Sequence, residues 1–179
     1  MHHGLLGFLA AARYGLTEDE MLDVLAAEDD VWQDFESRAH HAPPERRLPV
    51  IVWSRLFLDL EPYLNERTAP GGNVMSFYHW QVAECAARRY LLEAERPLRH
   101  AALATYFGKQ SHWLNQSALQ ANERKITELV QQQIGANALA DLEATLTDID
   151  FIAAKCAARL ALEHIHSSCN VGMESLNHA

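Results

Sequence analysis

The sequence predicts a mostly α-helical protein, in which a winged helix of three or four helices and a two-stranded wing is followed by an α-helical hairpin or solenoid-like region. Two observations support this. Apolar residues recur at helical spacing along the first 60 residues and again from His79 onward. Between these stretches, a turn rich in Pro and Gly at 68–72 separates two short strand-like segments. We assign the winged helix to residues 1–95 and the helical linker or repeat-start domain to residues 96–179.

The first helix is predicted over residues 4–15, with Gly15 as its C-cap. It starts without an N-cap residue, so we expect chain upstream of it. Thr17 opens the second helix and forms a capping box with Glu20. A third helix is expected from about Asp29, and a loop fixed by Pro43 and Pro44 at 40–47 follows.

Pro49 is predicted as the first residue of a fourth helix, which buries Trp53 and Leu56 and ends before Pro62. Segments 63–67 and 73–77 are predicted as the two strands of a hairpin. Helices followed by such a hairpin are the outline of a winged helix.

From His79 onward the whole chain reads as helix, apart from a polar stretch around Trp113. Helices are predicted up to Glu95, from Pro97, and then over 122–134, 136–146 and 150–164, with a frayed tail after residue 166. Paired helices of this size resemble the start of an α-solenoid.

The charge balance narrows the choice of function. Fifteen Lys and Arg residues stand against 24 Asp and Glu, giving a formal net charge of −9. A nucleic-acid binder needs a basic footprint, and an anionic membrane surface attracts basic segments, so we expect neither partner. Nine acidic residues and no Lys or Arg lie between Glu18 and Glu36, which we interpret as a solvated face.

The three cysteines, Cys85, Cys156 and Cys169, are widely spaced and include no CxxC pair, which indicates reduced, intracellular thiols. We expect Cys85 to be a small core residue rather than a nucleophile paired with His79. The four tryptophans are predicted to pack in the core or between helices. No 18-residue apolar run and no secretory signal pattern is visible, so we expect a cytoplasmic protein.

No catalytic or cofactor motif is present: the sequence contains no P-loop, GxGxxG, HExxH or GxSxG pattern. His164, His166 and Cys169 form an HxHxxC cluster, but a fourth zinc ligand is not evident and we predict no metal site. We therefore expect no enzymatic activity.

His79 is the candidate binding residue, because it sits where the second predicted strand passes into a helix. Free backbone N–H groups and the positive end of the helix dipole at that point suit a phosphate. The alternative is that His79 caps the helix or packs locally.

A series of short motifs, spread over residues 5–160 or so, resembles the segment that follows the ATPase core in NACHT-type STAND NTPases. The closest resemblance is to members that carry WD or TPR repeats, of the telomerase-associated and nephrocystin-like types. The matching residues are 15–22, Leu48-Pro49, 53–56, 76–79, Arg89-Tyr90, Arg99-His100, Leu103-Ala104, Tyr106-Phe107, Arg124-Lys125, Glu128-Leu129, 146–148, 150–152 and Ala154-Lys155. The sequence departs from the family pattern at Trp80 and over 130–133.

This resemblance implies a winged helix that folds back on an ATPase module and helps to hold it closed with ADP. It implies that His79 touches the nucleotide phosphate in an intact protein. The chain itself would then hold no cofactor, and ADP or ATP would be present only with the ATPase module, bound in cis or in trans. Its work would be control of a nucleotide-dependent switch and contact with protein partners.

Two other functions remain open from the sequence. A free-standing helical adaptor that binds a protein partner would fit the same helices. A DNA-binding winged helix would need basic residues, yet the fourth helix offers only Arg55 and the wing only Arg67.

Overall fold

The computed structural model describes residues 2–39, 46–117 and 119–159, and most of these residues are helical. The first part contains α1 (His2–Ala11), α2 (Glu18–Ala27), α3 (Asp29–Arg38), α4 (Val50–Leu60), a 3₁₀ turn (Glu61–Tyr63), β1 (Leu64–Ala69) and β2 (Gly72–Phe77). The second part contains α5 (Trp80–Tyr90), α6 (Arg96–Gly108), β3 (Trp113–Asn115), β4 (Gln120–Ala121), α7 (Glu123–Gly135), α8 (Leu139–Thr147) and α9 (Ile149–Ala157). The predicted mostly α class is confirmed.

The helix α1 ends at Ala11, four residues before the predicted C-cap at Gly15. Gly15 instead adopts a φ of +106° beside an antiparallel bridge between Leu16 and Met75. The two backbone hydrogen bonds of this bridge measure 3.1 and 2.8 Å. A Cβ on Gly15 would lie 2.1 Å from the Met75 carbonyl oxygen. The glycine is therefore required by the close approach of β2 and not by the end of α1.

The predicted capping box at the start of α2 is confirmed. The Glu20 amide donates to Thr17 Oγ1 at 3.1 Å, and the Thr17 amide donates to Glu20 Oε2 at 2.9 Å. These bonds satisfy two of the backbone donors that every helix leaves free at its N-terminus.

The helix α4 and the following hairpin lie within one or two residues of their predicted positions. Pro49 is the N-cap of α4 and not its first residue. Strands β1 and β2 pair antiparallel from Leu64 with Phe77 to Ala69 with Gly72. Of the preceding loop, residues 40–45 with Pro43 and Pro44 lie outside the described residues.

The polar stretch around Trp113, for which no helix was predicted, contains a small hairpin of β3 and β4 that separates α6 from α7. The helix α8 starts at Leu139, three residues later than predicted, and Asn137 before it has a φ of +56°. The last helix, predicted over 150–164, ends at Ala157, and Arg159 has a φ of +59°, so the prediction is wrong at residues 158 and 159. Residues 160–164 and the predicted frayed tail lie outside the described residues.

A single hydrophobic core contains residues of both parts of the chain. Phe8 of α1 and Leu25 of α2 belong to it together with Phe107, Ile126 and Phe151 of the second part. The helix α6 packs on α7 and also on α1 and α2. The proposed division at residues 95 and 96 stays a prediction. Among the described helices, none has the length and apolarity that a bilayer crossing requires.

Candidate functional site

His79, the predicted binding residue, lies between the end of β2 and the first residue of α5. It is the N-cap of α5, with φ −118° and ψ 142°, but its side chain makes no capping hydrogen bond. Its carbonyl oxygen accepts from the amides of Val82 at 3.0 Å and Ala83 at 3.2 Å. The side chain is exposed, yet its ring contacts the neighbouring Tyr78 ring, so the alternative of local packing stays open.

Two exposed aromatic residues, Tyr78 and Trp80, flank His79 in the chain. The Tyr78 ring meets the imidazole edge-on, with ring centroids 4.3 Å apart and an interplanar angle of 78°. Tyr78 is 59% exposed, Trp80 70% and Tyr63 51%. The Tyr78 amide donates to the Tyr63 carbonyl at 2.9 Å, which ties the junction to the 3₁₀ turn. An imidazole placed in this way can donate a hydrogen bond to an anion that arrives from outside the chain.

Two sequence predictions for α5 are wrong. Trp80 is exposed and does not pack in the core, and Cys85 is exposed and not a small core residue. Both residues lie on helix faces that no other element of the described chain covers.

A second group of functional interest is buried between α7 and the start of α2. We call Glu20, Arg124, Glu128 and Gln132 the polar cluster. Their exposed fractions are 5%, 6%, 0% and 0%. Arg124 donates from Nε to Glu20 Oε1 at 2.9 Å and from Nη2 to Glu20 Oε2 at 2.8 Å. Such a bidentate pair has the geometry in which a guanidinium binds a carboxylate best.

The polar cluster also bonds the backbone that follows α1. Glu128 accepts hydrogen bonds from the amides of Arg13 at 3.1 Å and Tyr14 at 3.2 Å. Gln132 donates to the Ala11 carbonyl at 3.1 Å, and Arg124 Nη2 donates to the Gly15 carbonyl at 2.9 Å. Side chains of α7 therefore bond backbone N–H and C=O groups of this loop, which would otherwise be buried without hydrogen-bond partners.

The electrostatics of the polar cluster favour a charged Arg124. Burial works against its positive charge, but the hydrogen bonds and the negative charges of Glu20 and Glu128 outweigh that effect and raise the pKa of Arg124. Two carboxylates face one guanidinium, and backbone amides supply the remaining donors.

His100 extends the polar cluster toward α6. Its Nδ1 lies 2.7 Å from Gln132 Oε1. Gln132 Nε2 already donates to Ala11 and Glu128, so its Oε1 accepts and His100 Nδ1 carries the hydrogen. Burial lowers the pKa of His100.

The β1–β2 hairpin touches the same region. Gly71, at the tip of the β1–β2 turn, has a φ of +85°, and a Cβ there would lie 2.9 Å from Arg124 Cγ. Arg67 Nε donates to the Tyr14 carbonyl at 3.0 Å. The hairpin, the loop after α1 and α7 thus meet at the polar cluster.

Sequence reasoning missed the polar cluster, although a signal was present. Arg124, Glu128 and Gln132 recur every four residues and so form one polar stripe along α7. Arg124 and Glu128 belong to the motifs of the family resemblance, whereas Gln132 lies where the sequence departs from that pattern.

Within residues 2–39, 46–117 and 119–159, no group of three or more His, Cys, Asp or Glu side chains could hold a metal ion. The sequence cluster of His164, His166 and Cys169 lies outside the described residues.

The chain is similar to one region of a much larger protein. It is 38% identical over 106 residues to the human NACHT domain- and WD repeat-containing protein 1. The aligned region covers 58% of this chain and 7% of that protein. The mouse protein of the same name is 36% identical over the same lengths. The chain thus matches only 7% of the length of these curated relatives. No family model and no solved structure matches.

Proposed function

We propose that this chain is a non-catalytic regulatory and protein-interaction segment of a NACHT-type signalling ATPase of the STAND class, in which residues 1–95 form a winged helix. The order of α1, the Leu16 bridge, α2, α3, α4 and the β1–β2 hairpin supports the winged helix. The similarity to a NACHT domain- and WD repeat-containing protein supports the assignment to this class.

The proposed mechanism is a two-state switch. The winged helix packs on an ADP-bound ATPase module, which is joined in cis or bound in trans, and His79 donates a hydrogen bond to the β-phosphate. Exchange of the nucleotide removes that contact and releases the segment. ADP or ATP belongs to the ATPase module, and this chain adds no catalytic group.

The exposed, unbonded imidazole of His79 at the start of α5 is the observation that carries the proposal. The imidazole contacts the Tyr78 ring edge-on but makes no capping hydrogen bond, which leaves it accessible to a second module.

The test uses the longer protein that contains both this segment and its ATPase module. His79→Ala should speed the release of bound fluorescent ADP at least fivefold and raise basal signalling. The matched control is Gln81→Ala, which changes an exposed neighbour in the first turn of α5. Equal ADP release from His79→Ala and the unchanged protein would contradict the role of His79.

A helical adaptor that binds a protein partner directly is the second candidate. It is favoured by the exposed apolar side chains of α4, where Val50 and Ile51 are 58% exposed and Leu58 is 69% exposed. An adaptor should bind its partner equally well with and without the ATPase module. The same apolar face argues against DNA binding, because a helix that enters the major groove presents polar and basic side chains there. A gel shift at low salt should show no DNA complex.

A further inference from the structure

The chain carries an open cleft between α4 and the β1–β2 hairpin that neither the nucleotide switch nor the polar cluster uses. Its volume is about 580 Å³. Trp53 and Phe57 of α4 line it, with their ring centroids 5.6 Å apart, and Met75 of β2 adds to the apolar lining. Apolar and aromatic lining of this kind suits a side chain inserted from outside.

Three carboxylates line the same cleft: Glu18 at the start of α2, Glu61 in the 3₁₀ turn and Glu66 on β1. None of the three forms an ion pair or a side-chain hydrogen bond within the described part of the chain. Among the residues that the structure describes, no Lys or Arg lines the cleft. The cleft is therefore negative as well as aromatic.

The lack of partners at these three residues contrasts with the other acidic side chains of residues 18–36, the segment that spans α2 and most of α3. Most of those are paired: Asp19 and Asp23 with Arg47, Glu20 with Arg124, Glu28 with Arg99, Asp29 with Arg46 and Asp34 with Arg38. The predicted solvated acidic face thus carries ion pairs on exposed side chains, while Glu20 is buried. Unpaired negative charge remains at the cleft, where an external cation can approach it.

We propose that this cleft receives an arginine side chain from a basic segment of a protein partner. A guanidinium stacks on aromatic rings and binds carboxylates through several N–H groups at once, and its weak hydration lowers the cost of leaving water. A metal ion does not fit, because the three carboxylates do not form a group that could coordinate one. The proposal does not depend on the role of His79.

The test follows binding of acetylated hexaarginine amide to the ¹⁵N-labelled chain by NMR at about 150 mM salt, where nonspecific attraction is screened. The Trp53 indole N–H and the amides of Glu18 and Glu66 should shift most. The variant with Glu18→Gln, Glu61→Gln and Glu66→Gln should bind at least tenfold more weakly.

A matched control removes the same amount of charge elsewhere, through Asp30→Asn, Glu36→Gln and Glu143→Gln, all at exposed positions. Its affinity should change less than twofold. Phe57→Leu should weaken hexaarginine binding about fourfold and hexalysine binding less, because lysine does not stack in the same way.

Two outcomes would overturn the proposal. One is an equal loss of affinity in the cleft variant and the control variant, which would mean general attraction to a chain of net charge −9. The other is a shift pattern centred away from Trp53, with the cleft amides unmoved. Thermal melting of each variant establishes that a loss of binding is not a loss of folding.

Discussion

Arg124 and Glu20 form a buried, bidentate ion pair between residues 104 positions apart in the chain. Their side chains are 8% and 7% exposed. The same Glu20 carboxylate closes the capping box of α2, so one side chain connects the start of α2 to α7.

Arg124→Met should destabilise the fold by about 3–5 kcal/mol, because it leaves Glu20 and the fully buried Glu128 without their cation. Urea unfolding followed by circular dichroism measures the change. Arg88→Met is the control, since Arg88 pairs with Glu84 on the exposed surface of α5, where solvent screens the pair and little stability is lost with it. Similar losses for the two variants would contradict the importance of the polar cluster.

Gly15→Ala should cost about 2–5 kcal/mol, since the new Cβ would meet the Met75 carbonyl at a backbone φ of +106°. Gly108→Ala provides the contrast. A Cβ at that position meets only Leu129 Cδ1, at 3.9 Å, and alanine favours the helix by about 0.5–1 kcal/mol. The melting temperature should therefore fall for Gly15→Ala and rise for Gly108→Ala. A higher melting temperature for Gly15→Ala would contradict the close contact between Gly15 and the Met75 carbonyl.

Stability should fall as the pH drops below about 6.5, in part because of His100. Burial lowers the pKa of His100 from 6.5, with Arg96 adding to the shift and Gln132 and Glu128 opposing it. The unfolded chain therefore binds the proton first, and stability is full above pH 6.5 and declines toward the lower native pKa. One group contributes at most about 1.4 kcal/mol per pH unit.

Urea unfolding of the wild type and of His100→Gln between pH 7.5 and 5.5 measures this dependence. The free energy of unfolding of the variant should depend less steeply on pH than that of the wild type, whatever its value at pH 7.5. It should keep some slope, because burial also lowers the pKa of His112. If the free energy of unfolding falls equally steeply with pH in both proteins, His100 does not contribute to the pH dependence of stability.

Native thiol titration with a disulfide reagent should detect both Cys85 and Cys156, which are exposed. In a Cys169→Ala background, two equivalents should react in the folded protein, and Cys85→Ala should reduce the count to one. If the Cys85 thiol does not react in the folded protein, the sequence-based interpretation of Cys85 as a small core residue is correct.

The sequence predicted the features that depend on neighbours along the chain. The capping box of Thr17 and Glu20 requires only a spacing of three residues, and the structure contains both of its bonds. His79 was placed at a strand-to-helix junction because a turn signal and an apolar stripe flank it. Both inferences rest on local patterns.

Features that depend on distant contacts were misread or missed. Gly15 looks like a C-cap, yet its conformation serves a contact with Met75, 60 residues away. Cys85 and Trp80 lie on a helix whose pattern does not say which faces another element covers. The polar stripe of Arg124, Glu128 and Gln132 looks like a solvent face until the loop after α1 is placed against it.

The position of α7 in the chain has a consequence for synthesis. A ribosome extends the chain by about 5–20 residues per second and releases the N-terminal part first. The amides of Arg13 and Tyr14 find their acceptor only after Glu128 has emerged, and Ala11 finds its donor only with Gln132. Until then the polar backbone groups of this loop have only water as a partner. We therefore expect the loop after α1 to reach its final hydrogen bonding only after α7 has been made.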